Sequence, residues 1–123
     1  MSVSGILIAE SISKGSPLEG VTLQVHKVSR GDVGEVKAGQ PLTWTFIEFT
    51  VEDQVVADLV EALSRSLDPK GGWYCDIRTT EETFVIFTRQ VFRYARGDRQ
   101  GRDEAEAYGR SVGVPGAQLD WPE

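Results

Sequence analysis

Apolar and polar positions alternate with period two along much of the chain and switch to a helical period in one stretch. Val21-Thr22-Leu23-Gln24-Val25-His26 alternates strictly. Val21, Leu23 and Val25 share one face and the polar three the other, as in a strand with one wet face. Gly5 to Ile12 (GILIAESI) predicts an earlier strand, and Lys14-Gly15-Ser16-Pro17 predicts the turn that follows it. Arg30 to Pro41, with its charges and glycines, predicts a loop. Thr43 to Val51 (TWTFIEFTV) is β-branched and aromatic throughout. Thr43, Thr45, Ile47, Phe49 and Val51 take one face; Trp44, Phe46 and Glu48 take the other. Both faces are largely apolar, which predicts a central strand covered on both sides, with Glu48 partly buried.

From residue 52 to 67 the period changes. Val55, Val56, Leu59, Val60 and Leu63 form one apolar stripe of a helix. Thr50 and Asp53 have the spacing of a capping box, with Asp in place of Glu or Gln. Asp68-Pro69-Lys70-Gly71-Gly72 stops the helix. Gly71 to Tyr94 then holds more than half of the aromatic residues and the single cysteine. Trp73–Arg78 predicts a strand, with Trp73, Cys75 and Ile77 on one face and Tyr74, Asp76 and Arg78 on the other. Thr83–Phe87 and Val91–Tyr94 predict two more. Residues 102–112 predict a second helix, with Asp103, Glu104 and Glu106 near the positive end of its dipole. Its thin apolar face is Ala105, Tyr108 and Val112. In the tail 117–123, Leu119 and Trp121 are expected to dock back on the body.

The order strand, strand, strand, helix, strand, strand, strand, helix predicts an α+β fold: one mostly antiparallel sheet with two helices. At 123 residues, with no internal repeat and no long linker, residues 1–123 are expected to form a single domain. The composition is 40% hydrophobic and 26% charged, as in a globular protein. No apolar run approaches a membrane span, and the N-terminus has no signal-peptide pattern. One cysteine makes no internal disulfide. These features together predict a cytoplasmic protein.

The net charge of −6 argues against general nucleic-acid binding, which needs a basic surface. Arg96, Arg99 and Arg102, around Gly97 and Gly101 at the start of the second helix, are the candidate anion-binding residues. The loop lacks the spacings of known phosphate-cradling motifs. Tyr74, Asp76, Arg78, Arg93 and Tyr94 are the candidate ligand-binding residues, on an aromatic sheet face. Glu48 joins them if its strand lies beside theirs. Cys75 and His26 are the pair to test for nucleophilic catalysis. The alternation puts Cys75 inward as a small hydrophobe and His26 on a wet face. A single Cys, a single His and no Asn leave no metal-ligand pattern, so no metal and no cofactor is expected.

The stretches GGWYCDIR, TFVIF, VFRYARGDRQGRDEAEAYGRSVGVP and QLDW resemble a group of short uncharacterised actinobacterial proteins. The resemblance covers residues 71–121 and implies a bacterial origin; it carries no activity. The first functional expectation is a small non-enzymatic binding or interaction protein, such as an acidic immunity- or inhibitor-like module that covers a basic protein partner. One alternative is a protein that binds a small molecule or anion in a pocket on the aromatic sheet face. The other is a metal-free enzyme using Asp76 or Glu48 as base.

Overall fold

The computed structural model describes residues 2–34, 36 and 39–122. The elements are β1 (Ser2–Ile8), β2 (Gln24–Asp32), β3 (Thr43–Glu52), α1 (Val56–Ser66), β4 (Cys75–Arg78), β5 (Glu82–Phe87), β6 (Gln90–Ala95) and α2 (Arg99–Ser111). The strands form one six-stranded sheet in the order β2-β3-β1-β4-β5-β6, and every pairing is antiparallel. This is the expected α+β architecture. β3 and β4 both run antiparallel to β1, and therefore parallel to each other. Parallel strands need a crossover, and α1 supplies it, with β1 held between them as in a split βαβ unit.

The two helices lie on opposite faces. On the first, Val3 and Leu7 of β1, Phe49 and Val51 of β3, Ile77 of β4 and Phe84 and Ile86 of β5 meet Leu59, Val60 and Leu63 of α1. The α1 stripe is the one its period predicts. Burial on this scale is the main favourable term in folding. On the second face, Val85 and Phe87 of β5, with Phe92 and Tyr94 of β6, are covered by Ala105 and Tyr108 of α2 and by Val114, Leu119 and Trp121 after it. Leu119 and Trp121 dock back as expected: the Trp121 Nε1–H donates to the Tyr94 hydroxyl at 2.8 Å. α2 and the tail cover the β4–β6 half of this face, and among the described residues no helix lies over β1 and β3 on this side.

Several elements differ from expectation for identifiable reasons. β1 begins at Ser2 and ends at Ile8, where a 3₁₀ turn, Ala9–Ser11, takes over. The Glu10 carboxylate there accepts from the Thr45 amide at 2.7 Å and the Thr45 hydroxyl at 2.8 Å, tying the turn to β3. Val21 and Leu23 are not in a strand; with Ile12 and Leu18 they pack from an irregular segment onto the first core. β2 starts at Gln24 and runs to Asp32, through residues expected to be loop. It is an edge strand held by the backbone of β3, with a bulge between Val25 and Lys27, so burial imposes no alternation on it. Residues 35, 37 and 38 of the expected loop lie outside the described residues. The capping box does not form: Thr50 stays in β3, its hydroxyl 2.8 Å from His26 Nε2, and a 3₁₀ turn, Asp53–Val55, leads into α1. α2 begins at Arg99, with Asp98 as N-cap accepting from the Gly101 amide at 3.3 Å. Among the described residues no helix is long and apolar enough to cross a membrane.

Candidate binding cleft

Sheet register arranges the uncovered face in rows. Against β3, Ile8 lies beside Phe46, Ile6 beside Glu48 and Ser4 beside Thr50. On the other flank of β1 the Gly5–Ile77 pair places Asp76 beside Ile6 and Arg78 beside Ser4. Glu48 and Asp76 thus share a face, but their strands are not neighbours. β1 lies between them, and two strand spacings amount to about 10 Å. Ile6, 52% exposed, sits in the gap. Glu48 pairs instead with Lys27 across β2 at 3.7 Å, in an exposed contact of little energetic weight.

Above the Phe46–Ile8 row opens a cleft of about 550 Å³. Trp44 and Trp73 close one end, their ring centroids 5.0 Å apart at 57°. Ala117, Gln118 and Asp120 of the tail form one side, and Asp76 lies at the base beside Tyr74. A smaller hollow of about 360 Å³ adjoins it at Ile6 and Asp76 and reaches His26, Glu48 and Arg78.

The aromatic end is built before any ligand arrives. Gly71 and Gly72 have φ of +104° and +68°, a left-handed backbone that favours glycine. They deliver Trp73 to the cleft side of the sheet rather than to the Cys75–Ile77 face its alternation predicted. The Trp44 Nε1–H donates to the Pro41 carbonyl at 2.8 Å. The Gln118 amide donates to Gln40 Oε1 at 3.1 Å, and Gln40 in turn donates to the Gly71 carbonyl. The Tyr74 hydroxyl donates to the Gln118 carbonyl, fixing the tail to β4. Walls locked by such bonds lose little freedom on binding.

The carboxylates at the cleft are held differently, Asp76 by its own backbone amide. Among the described residues no ion pair or hydrogen bond from another side chain engages Asp76 or Asp120. Burial pushes the Asp76 carboxyl above its ordinary value. The charge of Asp120 adds to that, while Arg78 and Arg102 oppose it. A carboxyl raised in the fold ionises more readily in the unfolded chain. Its stability contribution is therefore fully present below the ordinary value of 3.8 and is lost as pH rises through the folded value. Asp76→Asn is accordingly expected to be more stable than the parent at pH 7, with the gap closing toward pH 3. Urea midpoints at the two pH values measure it. A gap that does not change with pH would show that Asp76 is not held at a cost.

The other sequence candidates divide clearly. Tyr74, Asp76 and Arg78 share the cleft face. Tyr94 shares it too, but lies under α2 and bonded to Trp121. Arg93 is on the opposite face, with its guanidinium 5.3 Å from the Phe84 ring centroid and its Nε 2.6 Å from Glu82. The structure does not gather Arg96, Arg99 and Arg102 around one point. Arg96 reaches the Thr79 carbonyl, Arg99 pairs with Asp103 at 3.2 Å, and Arg102 pairs with Glu106 at 2.8 Å and stacks on Trp121. The hollow between Tyr94, Asp98, Arg99 and Arg102 is about 10 Å³, enough for at most one water. Cys75 lies in the first core with its thiol pushed up by burial, and its S–H donates to the Ile6 carbonyl at 3.6 Å. His26 is three strands away on the other face, so the two form no catalytic pair. Among the described residues no three His, Cys, Asp or Glu side chains gather to hold a metal ion.

A second hollow of similar volume lies by Arg65, Asp68 and Arg89 at the far end of β5. There Arg65 pairs with Glu61 and Asp68 accepts from the Lys70 amide, so its polar groups are partly engaged. Ile6, Ile8, Trp44, Phe46, Trp73 and Asp120 are the cleft residues that the sequence did not single out. Trp44-x-Phe46 facing Ile6-x-Ile8 was the available signal, read as a covered strand face. Comparisons with protein-family models, with curated proteins and with solved structures each find no match for this chain.

Proposed function

We propose that this chain is a small-molecule binding protein whose ligand lies in the cleft between the uncovered half of the sheet and the C-terminal tail. One observation carries the reading: an aromatic-walled cleft of about 550 Å³ whose charged lining groups, among the described residues, are the carboxylates of Asp76 and Asp120. That volume is within the range of ligand sites, roughly 300–1,000 Å³, and mostly apolar walls with a few polar groups are their usual make-up. A carboxyl group in a cleft whose pKa burial raises marks a candidate functional site. The single buried thiol of Cys75 is in keeping with a reducing, cytoplasmic setting.

The test is a fragment screen read by amide shifts of the labelled chain. Hits are expected to move the amides of Ile6, Ile8, Phe46 and Asp76. Hits scattered over the surface, or gathered on another face, would end the reading.

A second reading, docking on a basic protein partner, has its own support. Val25, Val28 and Leu42 are exposed at and beside the β2 edge, on a chain of net charge −6. An open edge strand is a ready template for pairing with another chain.

A further inference from the structure

We infer that the cleft takes an organic cation: an amine or quaternary ammonium on an apolar body, with its nitrogen beside Asp76 and Asp120 and its body along Ile6, Ile8 and Phe46. The inference rests on the cleft being a binding site and names the class of ligand it would hold.

Three observations converge on a positive charge. Among the described residues lining the cleft, the only formally charged side chains are Asp76 and Asp120. Among the described residues no other side chain bonds either carboxylate: the largely buried Asp76 accepts from its own backbone amide, and Asp120 is exposed to solvent. The two arginines nearest in charge to Asp76 do not line the cleft. Arg78 lines the smaller hollow, and Arg102 is turned to Glu106 and stacked on Trp121.

The walls argue for an organic cation rather than a metal ion. Trp44, Phe46, Trp73 and Tyr74 offer rings and few donor atoms. Ring faces attract ammonium groups, and among the described residues no metal-ligating group of three exists. The net charge of −6 raises the concentration of cations near the surface.

Phenethylamine, phenethyl alcohol and hydrocinnamate share an aromatic body and are cationic, neutral and anionic at pH 7. Each is titrated into the isotope-labelled full chain and followed by the amides of Ile6, Ile8 and Phe46. The amine is expected to bind about tenfold or more tightly than the alcohol, since a hydrogen bond to a charged group is worth roughly that factor, and the anion most weakly. Asp76→Asn and Asp120→Asn are each expected to weaken the amine about tenfold and to leave the alcohol unchanged. Asp120 is exposed, so Asp120→Asn decides the point if Asp76→Asn disturbs the fold. Equal binding of amine and alcohol at the same amides would keep the cleft as a binding site and overturn the preference for a cation. Stronger binding of the anion would overturn it too. If none of the three moves these amides, the binding site and the ligand class fall together.

Discussion

Phe87→Ala is expected to cost about 3–5 kcal/mol, in the top range for a single truncation. Phe87 is 2% exposed and lies at the centre of the second core. Its ring meets Tyr108 edge-on at 4.9 Å, Phe92 edge-on at 6.0 Å and Tyr74 at 5.8 Å. Removing it leaves a cavity among three rings that cannot all collapse into it, because they belong to α2, β6 and the approach to β4. The loss has two parts: the transfer term for the ring and the cavity left behind. Edge-to-face contacts add roughly 0.5–1.5 kcal/mol per pair to what area alone gives. Against a total stability of about 5–15 kcal/mol for a domain this size, the change is decisive. Urea unfolding of the parent and of Phe87→Ala measures it, with Phe87→Leu as an intermediate point. A loss below about 1 kcal/mol would mean that the ring cluster is not packed as described. The consequence reaches the cleft. Tyr74 packs on Phe87 and bonds the tail through Gln118, so Phe87→Ala should also loosen one wall of the binding site.

Period-two and helical signals carried much of the fold because most of the elements they mark are buried on at least one side. β3, β5 and α1 each bury residues on the faces their sequences announce. β2 was displaced because an edge strand is held by backbone bonds to one neighbour, while the alternating Val21 and Leu23 serve a coil segment packed on the core. The start of α2 was missed because its first residues, Arg99, Gln100 and Gly101, are polar or glycine and carry no apolar periodicity, while the cap that starts the helix is the Asp98 side chain.

The candidate site shows the same division. Alternation alone puts Tyr74, Asp76 and Arg78 on one face, and it also forbids Arg93 and Tyr94, adjacent in the chain, from sharing one. That Ile6 would part Glu48 from Asp76, and that Asp120 would return beside Asp76, depends on strand order and on where the tail docks. No local pattern encodes either. Nor does the sequence around Trp44 and Phe46 distinguish a face covered by a helix from one left open.

Gly101→Val is expected to cost about 3 kcal/mol, and Gly101→Ala should destabilise as well. The sign of the alanine change is the informative part. In an exposed helix interior Gly→Ala gains about 1 kcal/mol. At Gly101 an added Cβ would lie 2.5 Å from Tyr94 Cβ and 2.6 Å from Tyr94 Cγ. A Cβ is fixed to its backbone, so the Tyr94 side chain cannot swing aside, and either α2 or β6 must move. Moving α2 also disturbs Arg102, stacked 4.9 Å over Trp121, and with it the seat of the tail that carries Asp120. Gly109→Ala is the control. Its added Cβ meets Leu119 Cδ2 at 2.7 Å, the far end of a flexible side chain that can give way, so its cost should be smaller. Thermal unfolding of the three variants orders them, with Gly101→Val lowest, and amine titration of Gly101→Ala reads the cleft. A stabilising Gly101→Ala would show that α2 does not seat on β6 at this point, and the tail would then need another explanation for its position over the cleft.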